Sequence, residues 1–572
     1  MCQPSPQQLN HVMAAWHSAR CTGVRGTSFA QLGCMCLPGT KYQRLFVALA
    51  LIATATGCNR QEASETSAAL QGLVAKEAPS ASSKDVWADV QNFYAARQHR
   101  LAWSNDDGPS DRAMRALETL RSAEAHGLQR DLYGEPALSQ QHAELTAEAG
   151  DTPHRTDRLA EFDVRVTSAL LQLGRHVATG RGQASSIDTR WNARRQPPDY
   201  VAALKRASEA GGSGFLEGVQ PRHPEYQALQ KALASLQGQA ARGWPTVPRA
   251  SLKVGQWNQG VAVLRQRLAV SGYLSATATD SQHYDADVEA AVLAFQQHHA
   301  LKATGHLDPP TLAALNVPLE QRVAQVSMNL ERWRWMPDDL GARHFIVNIP
   351  HYHLIAREDG KPVLDIRVVV GKRGNETPTF SDEMTHVVFS PYWNVPESIA
   401  LEETAPAIAR DPGYLSRNNM EVVNASGRVV PESAIPWEDT AALSGLSFRQ
   451  RPGADNALGL VKFMFPNRHN VYLHDTPADA LFSRIGRAFS HGCVRVEEPE
   501  TLAQYVLRDQ SEWTPEAILA AMRAGEEQHV KLPHPIPVHI VYFTAWVDER
   551  GGLHFQPDVY GYDAKQARAR LG

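Results

Sequence analysis

Apolar residues recur at helical spacing through the first half of the chain and alternate with polar residues through much of the second. Ala113–Ala125 and Arg158–Thr179 carry the spacing of amphipathic helices. Residues 86–250 therefore predict a helical scaffold, interrupted by the loop Gly211-Gly212-Ser213-Gly214. Residues 251–318 predict a small unit of three helices. Val261, Leu264 and Leu268 line the first, and Val288, Ala291, Val292 and Phe295 line the second. Leu307–Leu315 forms the third, with Asp308 as its cap. From about residue 330 the period changes to that of strands. Phe345, Val347 and Ile349 alternate, as do His351 and His353, and Asp359-Gly360 marks a hairpin turn. Val387–Ser390, Leu460–Met464 and Val471–His474 predict further strands. Val538–Val547 and Leu553–Val559 predict a late hairpin around Gly551-Gly552. Residues 319–572 thus read as a β-rich domain. A polar, Pro-containing insertion at about 397–455 lies over its sheet, and the whole is a multidomain α+β protein.

The beginning of the chain follows another pattern. Lys41 and Arg44 precede the apolar run Phe46–Ala55, which is too short to span a bilayer comfortably. Ala55-Thr56-Gly57 then leads into Cys58. Residues 1–57 read as an export signal, with Cys58 as a candidate lipidation site and Met35 as an alternative start. Ala55 stands where a lipoprotein signal usually has leucine, so a plain secretory signal is the other reading. Residues 58–85 are rich in Ala, Ser, Glu and Lys and predict a flexible tether. Either reading exports the body, and the lipoprotein reading implies the bacterial cell envelope, with the body in the periplasm and a lipid on Cys58 as an anchor to the outer membrane.

Length and charge narrow the classes. At roughly 150 residues per domain, 572 residues suggest three or four domains. The 57 basic residues nearly balance the 61 acidic ones, so no charge excess points to nucleic acid. Five of the six cysteines lie at or before Cys58, and Cys493 stands alone in the rest. A disulfide framework is excluded there, and the lone thiol is either inert or a nucleophile.

Cys493 lies in Ser490-His491-Gly492-Cys493-Val494-Arg495-Val496, downstream of Val471-Tyr472-Leu473-His474-Asp475. A histidine can take the proton of a thiol. In extended chains Tyr472 and His474 share one face, and Cys493 and Arg495 share another. Two neighbouring strands could present all four to one cleft. Gly492 allows close approach of a substrate, and the amides of Gly492 and Cys493 are candidate oxyanion donors.

His474 followed by fifteen residues and Ser490-His491-Gly492-Cys493 resembles the signature of the L,D-transpeptidase (YkuD-type) catalytic domain. Leu330–Trp335, Pro391–Pro396, Arg451-Pro452-Gly453, Asn456–Gly459, Phe463–Asn467 and Tyr472–Pro477 resemble the large YcbB-type subgroup. Leu264-Arg265-x-Arg267-Leu268, Gly272-Tyr273-Leu274, Ala294-Phe295-Gln296 and Gly305-x-Leu307-Asp308 resemble the small peptidoglycan-binding domain. The resemblance implies an enzyme that cross-links peptidoglycan stem peptides. Cys493 would attack a tetrapeptide donor, D-Ala would leave, and an amine of a second stem would resolve the thioester, with His474 as base. Arg495 would pair with a stem carboxylate, while Tyr472, Trp393 and Asn394 would line the cleft. Ser490 and His491 would support the loop. No cofactor or metal is implied. The partners are stem peptides and glycan, with carbapenem-class β-lactams as inhibitors, a membrane only through the lipid anchor, and no nucleic acid.

Two rival readings use the same chain. One is a zinc-dependent wall peptidase with His469, His474, His491 and Cys493 as ligands, although no paired-histidine helix motif is present. The other is a non-catalytic wall-binding protein. Elsewhere, His351 and His353 read weakly as a metal pair, His298-His299 as a solvated helix end, and Trp333 and Trp335 as packing anchors.

Overall fold

Helices dominate the chain up to Trp335, and a large sheet with flanking helices follows. The computed structural model describes residues 65–76, 83–148, 154–191, 195–275, 281–411, 413–435 and 445–571. The signal segment 1–57 and Cys58 lie outside the described residues. Among those described, no helix is long and apolar enough to cross a membrane.

Helix α1 spans Glu65–Val74, α2 Lys84–Ala96, α3 Asp111–Arg121, α4 Glu135–Ala147 and α5 Arg155–Thr179. Helix α5 is the axis of this part, because apolar residues cover most of its surface and its neighbours pack on several sides. Its buried Asp163 accepts the amides of Ala102, Trp103 and Ser104 at 2.8, 2.8 and 2.9 Å, which ties down the chain after α2. The expected tether is in part structured. Helix α1 buries Leu70 and Val74 in the same core as α5. A segment poor in aromatics can still order when one apolar stripe meets an existing core.

Helix α6 (Tyr200–Glu209) and α7 (Pro224–Ala240) lead to the three-helix unit, formed by α8 (Gln259–Val270), α9 (Ala286–His298) and α10 (Pro309–Leu315). Asn258, Asp285 and Asp308 cap these helices by accepting the amides of Gly260, Val288 and Thr311. Helix α11 (Leu319–Trp335) then runs between the scaffold and the sheet. The strand pattern expected from residue 330 begins only at Arg343. Leu330–Trp335 is the end of α11 and is buried on all sides, so it shows no amphipathic period. Arg332 and Arg334 are fully buried, paired with Asp563 and Glu331 at 2.6 Å each. Trp333 and Trp335 are buried beside them.

The strands after α11 are β1 (Arg343–Asn348), β2 (His353–Glu358), β3 (Lys361–Gly371), β4 (Phe380–Phe389), β5 (Trp393–Asn394), β6 (Met420–Asn424), β7 (Val429–Val430), β8 (Leu446–Gln450), β9 (Val461–Met464), β10 (Leu473–His474), β11 (Ala488–Ser490), β12 (Val494–Val496), β13 (Gln528–Val541), β14 (Ala545–Val547) and β15 (Leu553–Phe555). The main sheet has nine strands in the order β11-β3-β12-β10-β9-β4-β13-β1-β2. It closes on itself, because the first half of β3 pairs with β2 and its second half with β12 and β11. The late hairpin is shorter than expected. Val538–Val541 belongs to the long strand β13, and only β14 and β15 form the hairpin. The insertion holds short helices, as expected, and also the strands β6, β7 and β8, which form a separate four-stranded sheet with β5 just before it, in the order β5-β8-β6-β7.

Candidate active site

Strands β10 and β12 lie side by side and parallel, with Leu473 opposite Val494 and His474 opposite Arg495. Leu473, Val494 and Val496 enter the core, while Tyr472 and Arg495 stay half-buried; Arg495 lines the neighbouring cleft and Tyr472, contrary to expectation, does not. Period-two alternation thus delivers Tyr472, His474, Cys493 and Arg495 to one region. The rings of Tyr472 and His474 are 5.7 Å apart, edge to face. Tyr472 meets the Cys493 sulfur with both its amide and its side chain.

The thiol itself sits 3.7 Å from the Asn470 carbonyl, to which it donates. Burial pushes the Cys493 thiol up, and contacts with Tyr472 and the charge of Arg495 only partly oppose this. Burial pushes the His474 imidazole down to about 3, with the Arg495 charge adding to the effect. Thiol and imidazole are therefore both neutral at neutral pH, and they share no hydrogen bond. His474 Nδ1 donates to the Asp475 carbonyl at 2.5 Å. This puts the ring proton on Nδ1, and the Leu458 backbone is a second hydrogen-bonding neighbour of the ring. The partner is a backbone carbonyl and not the Asp475 side chain, so no side-chain pattern signals it. That side chain clamps a turn instead, accepting the amides of Leu460 (2.7 Å) and Thr476 (2.6 Å). It fills the space beside Gly459, where any Cβ would lie 2.3 Å from the Asp475 carboxyl carbon.

The loop before the nucleophile is fastened through its backbone. Ser490 Oγ donates to the Cys493 carbonyl at 2.6 Å and accepts the Gly492 amide at 3.1 Å. The Gly492 amide is thereby withdrawn as an oxyanion donor, contrary to expectation, and the Cys493 amide remains. Gly492 has φ +116°, which requires glycine. Its carbonyl accepts from Thr377 Oγ1 at 2.8 Å, and the same hydroxyl accepts the Gly371 amide. Tyr560 OH donates to the Gly371 carbonyl at 2.6 Å. Thr377, Tyr560 and Asn470 went unnoticed in the sequence. They stand far from the signature or lack side-chain chemistry of their own, and no spacing signals them.

His491 is turned outward, with Nε2 2.8 Å from Glu403 of the insertion. A cleft of about 310 Å³ is walled by Trp393, Tyr414 and Gln450 on one side and by Thr476, Pro477 and Arg495 on the other. Arg495 Nε is buried there without a hydrogen-bond partner. Asn394 is exposed, pairs through β5 with Arg449, and does not line this cleft. His469 packs against Phe380, 5.0 Å between rings. The four ligands of the zinc reading are therefore not gathered.

The family model of the L,D-transpeptidase catalytic domain matches residues 342–524. Residues 342–524 belong to that family. A peptidoglycan binding domain model matches 258–315, and a scaffold domain model matches 88–233. A Haemophilus influenzae protein assigned as an L,D-transpeptidase is 35% identical over 269 residues, 46% of this chain and 54% of that protein. The match thus spans about half the length of that curated relative. Among solved structures, an L,D-transpeptidase from Mycobacterium smegmatis is 12% identical with TM-score 0.17, covering 35% of this chain and 58% of that one. One from Stackebrandtia nassauensis is 14% identical with TM-score 0.20, covering 52% and 97%. Likenesses this slight add nothing to the family match. The match places both halves of the Cys493 and His474 signature inside the L,D-transpeptidase domain.

Proposed function

We propose that the protein is a peptidoglycan L,D-transpeptidase that forms a thioester on Cys493 and releases D-Ala from a tetrapeptide donor. The observation that carries the reading is the lone thiol beside strand β10, where His474 has its Nδ1 proton held by the Asp475 carbonyl. With both groups neutral, His474 accepts the thiol proton as sulfur attacks the donor carbonyl, rather than holding a preformed ion pair. Tyr472, whose hydrogen bonds lower the Cys493 thiol, favours negative charge on sulfur, and the Cys493 amide is the remaining candidate oxyanion donor. D-Ala leaves with a proton from His474. The amine of a second stem then gives its proton to His474 and takes the acyl group from sulfur.

Arg495 supports a donor carboxylate, because its buried Nε has no partner within the protein. The insertion forms one wall of the cleft and touches the nucleophile loop through Glu403 and His491, which suits a lid over the donor stem. The match at 258–315 fits a unit that keeps the enzyme on the wall, and such a substrate places it in the cell envelope. Intact-protein mass after incubation with a tetrapeptide muropeptide, and separately with a carbapenem, tests the reading. An adduct on Cys493 in both cases is expected. Activity that survives iodoacetamide and dies with a chelator would favour the zinc peptidase.

A further inference from the structure

A groove of about 960 Å³ lies away from the thiol, between α7, the three-helix unit and the β14–β15 hairpin. His298 and Asp548 line it, and beside it His298, at the end of α9, meets Asp548 and His554 of the hairpin. The reading of His298-His299 as a solvated helix end is therefore corrected. His299 stacks on Phe295 at 3.8 Å, and the His298 ring lies 4.4 Å from that of His554. One donor atom each from His298, Asp548 and His554 lies within 4.8 Å of the others. Among the described residues this is the only such grouping.

Each side chain is oriented by a second partner. His298 Nδ1 is 3.0 Å from Tyr273 OH, so its Nε2 is the atom turned to the gap. Trp546 stacks on the His554 ring at 4.1 Å and 12°, fixing its plane. Asp548 Oδ1 accepts the amides of Arg550 and Gly552 at 2.9 and 2.7 Å, and Oδ2 faces His554 Nε2 at 2.9 Å. The gap itself is kept open by a missing side chain. A Cβ on Gly552 would lie 2.9 Å from both His298 Nε2 and Asp548 Oδ2. Ligands held by outer hydrogen bonds around a small vacant point are the usual setting of a metal ion.

We propose that His298 Nε2, His554 Nε2 and Asp548 Oδ2 bind a divalent cation of the zinc type, which joins the three-helix unit to the catalytic domain. Two imidazoles and one carboxylate suit zinc with a water in the fourth position. Calcium and magnesium need more oxygen ligands than the groove offers. The ion replaces the His554 to Asp548 hydrogen bond, and both imidazoles bind it neutral. Because the three ligands come from two units, bound metal fixes their relative angle.

The test uses the full chain with its six cysteines replaced by serine, so that no thiol competes. Metal-stripped protein is titrated with zinc chloride by calorimetry, and cobalt absorption reports the geometry. One equivalent is expected, with a tetrahedral cobalt spectrum and a melting temperature that rises with zinc. His298→Ala/His554→Ala should weaken zinc at least 10-fold and abolish the cobalt bands. Gly552→Ala keeps all three ligands but fills the gap, and it too should weaken zinc at least 10-fold. Metal-free melting curves check that each variant folds, and Gly552→Ala decides alone if the double variant does not. No saturable equivalent in the parent, or a loss under 10-fold in a folded variant, overturns the proposal.

Discussion

Two clusters of titratable side chains, one within the catalytic domain and one where it meets the three-helix unit, are held by different means. Around Cys493 and His474 the partners are mostly backbone: the carbonyls of Asp475 and Asn470 and the amide of Tyr472. Around His298 and His554 side chains orient side chains, with Asp548 alone held by backbone amides, and the cluster exists only where two units meet. A site held by backbone inherits its geometry from strand pairing and tolerates exchange of neighbouring side chains. A site held by side chains depends on docking. The first arrangement suits a nucleophile that must keep its place through two acyl transfers, and the second suits a joint.

The largest separation of the two clusters comes from Cys493→Ala. Release of D-Ala and covalent labelling by a carbapenem should vanish, as read by amino-acid analysis and intact mass, while metal-free melting is unchanged. Retained transfer would remove the thiol from the mechanism. His474→Gln should lower acylation by about 10²–10⁴-fold at neutral pH. The deficit should shrink as pH rises, because the thiol then ionises without a base. A deficit independent of pH would mean that His474 serves another purpose. Arg495→Gln should cut kcat/KM for a carboxylate-bearing donor by about 10–100-fold, with a clearly smaller loss in alkylation of Cys493 by iodoacetamide, since the Arg495 charge also lowers the thiol. Equal losses in both reactions would show that Arg495 acts on the thiol and not on the donor.

The smallest expected effect is on stability. Burial holds His474 near 3 in the folded state, against an ordinary value of 6.5. The unfolded chain therefore takes up a proton first, and folding loses stability as pH falls from about 6.5 towards 3. His474→Gln should lose less melting temperature than the parent across that window and behave alike above it. A parallel fall in both proteins would show that the folded imidazole is not held neutral.

Much of the catalytic side was legible because it depends on short-range rules. Alternation in Val471–His474 and Cys493–Val496 placed the reactive residues on one face, and parallel pairing of β10 with β12 needed nothing more. The Gly492 amide was misjudged because a hydroxyl two residues away, Ser490 Oγ, takes it, and only loop geometry decides which amides are spent. Leu330–Trp335 misled for a different reason. Burial on every side erases the amphipathic period on which a helix assignment rests.

Sequence alone determined the order of the helical and β-rich parts, the isolation of Cys493 and its distance from His474. These follow from local periodicity and from counting. Tertiary structure alone decided that the Asp475 carbonyl orients His474, that Thr377 and Tyr560 brace the nucleophile loop, and that His298 meets Asp548 and His554. The physical reason is that backbone carbonyls are the same at every position, and that contacts between residues 250 apart arise only when separate units pack.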